Sequence, residues 1–435
     1  MNKFVKTRLI VMNILQWAVW GAYLTSMGNF LGNAGFGAKI GIFYAMQGIV
    51  SIFMPAIMGI VADKWLGASK TLSLCHFIAG AAMLGAGLYG AQANPQLGIF
   101  LGLYTISVAF YMPTIALSNS AAYGILEHNG YDTVKDFPPI RVFGTIGFIA
   151  SMWIVNFCHT PEGTSFQFTN HQFIISGAVS LAMALYCFTL PGIPKAKVAE
   201  SKSFADSLGL SAFKLFKDKQ MAIFFIFSML LGVALQITNG YATPFISHFQ
   251  GIPEFATSWG AKNATAIYSV SQIAETLGIL LIPFCMKKFG IKNVMLISML
   301  AWVLRFGLFG FGDTGSNVWM IILSCIVYGV AFDFFNISGS LYVNQRTSGS
   351  IQNSAQGLFM LMTNGIGATI GTLSAQAIVN HFTHYETIGT ESFLMGNTAS
   401  SWTTVWLIFA GYALLIAILF MLLFKKPSEK EEVLV

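Results

Sequence analysis

Residues 40–70 read IGIFYAMQGIVSIFMPAIMGIVADKWLGASK. From 40 to 62 there is no Asp, Glu, Lys or Arg; then Asp63, Lys64 and Lys70 gather around Gly67. About 20 consecutive apolar residues are what an α-helix needs to cross the hydrocarbon core, and a short charged turn is how it leaves. The same alternation recurs in both directions. Residues 9–38, 71–126, 142–161, 163–194, 220–253, 314–332, 347–385 and 392–424 also lack those four residue types. Composition agrees: of 435 residues, 55% are hydrophobic and only 9% charged, against about 25% charged in soluble domains. With a mean hydropathy of +0.68, a soluble enzyme is excluded. Disorder is excluded by the apolar content, and a collagen-like chain by the absence of a three-residue glycine period. The first run is too long for a signal-peptide core and reads as a retained helix. The five cysteines are scattered through or beside apolar runs and read as small core residues.

At about 20–28 residues per span, twelve helices are expected. They lie near 7–32, 40–62, 71–91, 97–122, 138–158, 172–192, 220–247, 264–285, 292–311, 317–342, 354–380 and 402–424. The fold class is an all-α polytopic membrane protein. Outer-membrane barrels need alternating strands of about 10 residues, which are absent. An even number of helices puts both termini on one side. Among the 23 Lys and Arg, only Lys39 and Lys262 fall on the opposite side, and Arg141 and Arg305 fall inside spans. The positive-inside rule then makes both termini and the 193–219 loop cytoplasmic. This bias accounts for the net charge of +6, and the scattered charges do not suggest nucleic acid.

The 193–219 loop divides the helices six and six: an N-terminal bundle over 1–192, a linker at 193–219, a C-terminal bundle over 220–425 and a tail at 426–435. Within the linker, Phe204 to Phe216 is amphipathic and is expected as a short interfacial helix. A weak repeat supports the division, since Asp63 to Lys70 around Gly67 is echoed by Lys287 to Lys292 around Gly290. Such repeats mark secondary transporters with a site near the midplane, although a basic glycine turn is also an ordinary hairpin. The stretch Gly59-Ile60-Val61-Ala62-Asp63-Lys64-Trp65-Leu66-Gly67 resembles the loop motif of the major facilitator superfamily, with the basic run after the glycine reduced to Lys70. That resemblance implies two six-helix bundles rocking about a central site. No phosphate loop, HExxH, paired Cys/His metal spacing or serine nucleophile elbow occurs, so an ATP-driven pump and an intramembrane enzyme lack their chemistry. A channel would show a filter or pore-loop segment, and none is visible.

Four ionisable side chains fall inside expected spans: Arg141, Glu275, Arg305 and Asp333. Each costs at least about 2.5 kcal/mol at the bilayer centre, so each is a functional candidate or half of a structural ion pair. Arg305 lies towards one end of its span, where it can snorkel or pair. Polar neighbours share helix faces with the other three. Arg141, Thr145 and Phe148 follow i, i+4, i+7; Gln236 and Asn239, Gln272 and Glu275, and Asp333 and Asn336 are i, i+3 pairs; Tyr328 and Phe332 are i, i+4. Amides offer donors and acceptors to a nucleobase edge, aromatic rings stack on a base, and carboxylates suit sugar hydroxyls. Composition alone leaves a sugar and a nucleoside both open, and such amides also serve as helix-packing groups.

Seven stretches narrow the choice. LQWAVWGAYLTSMG (15–28), MPAIMGIVADKWL (54–66), DFPPIRVFGTIGF (136–148), AIFFIFSMLLGVALQITN (222–239), SQIAETLGILLIPF (271–284), IVYGVAFDFFNISGS (326–340) and TVWLIFAGY (404–412) resemble the nucleoside:proton symporter family of the major facilitator superfamily. The resemblance runs from the first helix to the last and weakens near 159–170, 381–400 and the tail. It implies substrate contacts at Arg141, Thr145, Phe148, Gln236, Asn239, Gln272, Glu275, Tyr328, Phe332 and Asp333. It also implies a proton-coupled nucleoside importer of the bacterial inner membrane, a multi-pass monomer that alternates access and uses the proton as coupling ion, with no cofactor or metal. A major facilitator symporter for sugars or another small polar solute is the alternative. Burial in a bilayer disfavours a carboxylate charge, so a midplane acid suits proton transfer. Asp333 is the first candidate carrier and Glu275 the second, the other acid accepting substrate hydroxyls or pairing with Arg141.

Overall fold

The computed structural model describes residues 3–191, 210–347 and 351–425. Among these, ten helices are long and apolar enough to cross a membrane. Helices dominate because lipid offers no partner for backbone N–H and C=O groups, so each spanning segment must satisfy its own. One of the ten, Ala264–Phe311, runs 48 residues, but Gly290 sits at φ 73°, ψ 165° and breaks it in two. This is the basic turn expected between the spans 264–285 and 292–311, and its positive φ is one that glycine adopts without steric cost. The span expected at 7–32 is divided: helix Lys3–Gly21, a turn, then Met27–Asn33. Tertiary bonds draw the second piece aside, with Ser26 Oγ donating to Gln172 Oε1 (3.0 Å) and Asn33 Nδ2 to the Phe168 carbonyl (3.1 Å).

Two features correct the all-α expectation and the smooth helices it assumed. Strands Thr383–Ile388 and Glu391–Gly396 form an antiparallel hairpin, closed by a turn with Gly389 at φ +66°. Two helices also widen into π turns, at Ala62–Leu66 and Leu361–Gly367. Such widenings frequently sit at functional sites. Of the linker, the described part before helix Lys219–His248 is a 3-10 helix, Leu210–Lys217. The stretch from Phe204 to 209 and the tail 426–435 lie outside the described residues.

The chain divides into two compact units: residues 3–37 with 49–191, and residues 38–48 with 210–347 and 351–425. In the first unit, helices Lys3–Gly21 and Pro138–Phe157 approach backbone to backbone. A Cβ on Gly147 would fall on the backbone of Ile14, and one on Gly21 on that of Phe148. A buried polar cluster fixes the rotation of Lys3–Gly21. His76 Nε2 bonds Gln16 Oε1 (2.7 Å) and its Nδ1 bonds Ser180 Oγ (2.9 Å); Gln16 Nε2 donates to Thr114 Oγ1 (2.7 Å), and Tyr111 donates to the Gln16 carbonyl (2.7 Å). In the second unit, helices Ala264–Phe311 and Val318–Arg346 meet at Gly278 and Gly329, where a Cβ on Gly278 would lie 2.9 Å from the Gly329 carbonyl carbon. The opening turns of helix Ile40–Val61 also belong here: the Ile42 N–H, without an intrahelical partner so near the helix start, donates to Gln376 Oε1 (3.2 Å).

Candidate functional site

On the first unit, Arg141, Thr145 and Phe148 share one face of helix Pro138–Phe157, whose first two residues are Pro138 and Pro139. The Arg141 guanidinium carbon lies 4.0 Å from the centroid of a Trp17 ring, a cation–π stack. Gly144 makes the room: a Cβ there would stand 2.5 Å from Trp17 Cδ1 and 2.7 Å from Arg141 Nη1. The His76–Gln16 cluster holds the helix that carries Trp17, so the sequence neighbour of a buried amide becomes the floor under the cation. Trp20 stands 6.0 Å from both Trp17 and Tyr111, extending an aromatic wall. Thr145 is half-buried. Phe148 is buried, and its carbonyl accepts from Ser151 (2.9 Å).

On the second unit, four polar residues form a chain of three hydrogen bonds. Asn239 Nδ2 donates to Gln236 Oε1 (3.1 Å), Tyr268 donates to Asn239 Oδ1 (3.2 Å), and Arg305 Nη2 donates to the Tyr268 oxygen (3.5 Å). Arg305 does not snorkel. It is fully buried, with Nη1 donating to the Ser324 carbonyl (2.5 Å) and its guanidinium carbon 4.7 Å from the Tyr328 ring centroid. Tyr328 stacks on Phe332 at 5.7 Å and 3° between planes. One residue on, Asp333 is 4% exposed, and its Oδ2 has no hydrogen-bond partner among the described residues. Glu275 lies within electrostatic reach of both Asp333 and Tyr328, brought there by the tight Gly278–Gly329 contact. Beside Phe332 a cavity of about 20 Å³, room for one water, is lined by Gly232, Asn336, Thr363 and Asn364 at the π turn.

The structure thus joins Gln236 to Asn239, stacks Tyr328 on Phe332, and brings Glu275 within electrostatic reach of Asp333. Gln272 is half-buried on the same helix face as Glu275, and no side-chain hydrogen bond to the others is recorded for it among the described residues. Three participants escaped the sequence reading of the site: Trp17, Tyr268 and the inward role of Arg305. Tyr268 was visible in principle, since Tyr268, Gln272 and Glu275 follow i, i+4, i+7. His76 likewise sits in a buried network.

Comparison with known proteins gives the family. A model described as "Nucleoside H+ symporter" matches residues 3–429. The chain is 44% identical over 432 residues to the xanthosine permease of Escherichia coli, covering 99% of this chain and 98% of that one. It is 45% identical over 424 residues to the nucleoside permease NupG of the same organism, covering 97% and 96%. A crystal structure of the nucleoside transporter NupG matches at a TM-score of 0.86, with 44% identity, over 98% of this chain and 100% of that one. A D-xylose-proton symporter at 13% identity and TM-score 0.69 shares the fold alone. The relatives are transporters, not enzymes. Full-length matches at this identity, together with the polytopic helical fold, show that the chain belongs to the nucleoside H+ symporter family.

Proposed function

We infer that this chain is a proton-coupled nucleoside importer of the bacterial inner membrane, with the proton as its coupling ion. The observation that carries the reading is the polar set of the second unit: an amide chain through Gln236 and Asn239, a Tyr328–Phe332 stack, and a buried acid, Asp333, with one open oxygen. Amides read a base edge, stacked rings accept a base face, and an intramembrane carboxyl carries a proton. Glu275 and Asp333 within reach of one another suit a shared proton, because like charges so close are costly together. Asp333 is the proton carrier. Glu275 accepts from substrate hydroxyls, Gln272 reads the base with Gln236 and Asn239, and Arg141, Thr145 and Phe148 supply the first unit's substrate contacts. Names of the relatives, a xanthosine permease and a nucleoside permease, point to the same substrate class.

The finer membrane reading follows from the sequence. Counting the two halves of Ala264–Phe311 and the divided first helix gives twelve spans, and the Lys and Arg bias puts both termini in the cytoplasm. Exposed apolar side chains such as Phe188, Leu280 and Leu422 face lipid around a monomer. The test is uptake into proteoliposomes with and without a protonophore. Uridine and adenosine compete and hexoses do not; hexose competition with no nucleoside effect overturns the reading in favour of a sugar symporter.

A further inference from the structure

Arg305 is a permanently charged, donor-only group, fully buried in the second unit, and no carboxylate is recorded pairing with it among the described residues. Its contacts are a carbonyl, a phenol oxygen, the Cys325 thiol and aromatic faces. A cation held so deep at such expense needs a use. We propose that Arg305, through Tyr268, sets the direction of the whole hydrogen-bond chain, so that Gln236 presents N–H and not C=O to the substrate and the transporter selects bases that offer a carbonyl oxygen.

The available protons set the direction of each bond. Arg305 donates to the Tyr268 oxygen at 3.5 Å. A phenol oxygen that already accepts from a cation is a better donor and a poorer second acceptor. The Thr238 hydroxyl, a side-chain hydrogen-bond neighbour of that phenol, donates either to it or to the Leu235 carbonyl (3.5 Å), and a second donor only reinforces the phenol oxygen as an acceptor. Tyr268 therefore donates its single proton onward, and the Asn239 atom facing it at 3.2 Å must be Oδ1. That fixes the amide: Nδ2 points at Gln236 and donates at 3.1 Å, so the Gln236 atom there must be Oε1. The remaining end of the chain is Gln236 Nε2, two N–H donors with no recorded partner among the described residues, on a half-buried side chain. An isolated pair of amides would turn over freely to suit either a donor or an acceptor. Anchored to a guanidinium, this pair has one polarity.

The inference rests on the nucleoside reading and adds a rule of selection to it. Inosine and adenosine test it, because they differ at the purine 6-position as carbonyl against amino group. Against Gln236 N–H, the carbonyl is paired, whereas the amino group meets donor with donor in a partly dry site, a mismatch that a polar site rejects strongly. Wild-type protein should bind inosine about tenfold more tightly than adenosine, read as inhibition of uridine uptake in proteoliposomes.

Tyr268→Phe removes one oxygen and keeps the ring. It releases the amides from Arg305, and the inosine-to-adenosine ratio should fall by about threefold to tenfold, the worth of one directed hydrogen bond, in a protein that still folds with a lowered melting temperature. Arg305→Lys, which keeps a donor-only cation, should keep the preference where it folds. If the proteoliposomes take up no uridine at all, the nucleoside reading itself fails; if uridine enters and neither purine nucleoside inhibits it, the selection rule fails. If both inhibit and wild type treats them alike, or if Tyr268→Phe weakens both equally, the polarity relay is wrong. A simple loss of structure would lower both affinities together and leave their ratio unmoved.

Discussion

Asp333→Asn should separate transport from its driving force. Asp333 Oδ2 has no hydrogen-bond partner among the described residues, so replacing one carboxyl oxygen by an amide nitrogen breaks none of the bonds seen there. An unpaired acceptor becomes an unpaired donor, and the change in stability should stay within about 1 kcal/mol. The variant therefore folds and inserts, and what it loses is proton exchange. For one proton carried per nucleoside, each unit of pH gradient is worth about 1.36 kcal/mol, which is about tenfold in concentration. At a gradient of about two units, wild-type proteoliposomes can reach up to about 100-fold accumulation of uridine. Asp333→Asn should settle at equal concentrations inside and out, while counterflow of labelled against unlabelled uridine continues in the same vesicles. Gradient-driven accumulation well above unity in Asp333→Asn would refute this assignment. It would pass the role to Glu275, the acid within electrostatic reach of Asp333.

Glu275→Gln should raise the concentration needed for half-maximal uptake more than it lowers the accumulation ratio, because Glu275 shares a face with Gln272; the reverse pattern in the proteoliposome assay would exchange the two roles. Gln236→Ala leaves Asn239 Nδ2 without its acceptor and should weaken nucleoside binding by about 1–3 kcal/mol by calorimetric titration; wild-type affinity would mark it as a packing amide. Trp17→Leu removes the ring under Arg141 and should cost about 0.5–2 kcal/mol of nucleoside affinity, measured the same way, with Trp17→Phe recovering part of it. Gly329→Val places side-chain carbon against the backbone of Ala274 and should lower stability by about 1–3 kcal/mol or more, read as an earlier thermal transition in detergent.

What the sequence made legible is what bilayer physics makes expensive. Charge-free runs marked the helices because lipid penalises every charge, and the acids at 275 and 333 stood out for the same reason. The Gln236–Asn239 pair was readable because i, i+3 neighbours meet on any helix, and the structure joins them at 3.1 Å. Less was visible wherever a tertiary contact decided the outcome. The break after Gly21 depends on bonds from Ser26 and Asn33 to Gln172 and Phe168, far along the chain. The hairpin from Thr383 depends on pairing within a segment where family resemblance fades.

Arg305 shows the limit most clearly. Its distance from the end of its span allowed it to snorkel, yet its bond to Tyr268 joins residues 37 apart in sequence across the break at Gly290. Periodicity along one helix cannot report that meeting. Because a guanidinium only donates, the meeting also fixes the hydrogen-bond direction of residues that never touch it. The candidate recognition amides were legible one by one. Which of their two faces meets the substrate was not, since that depends on a charge three hydrogen bonds away.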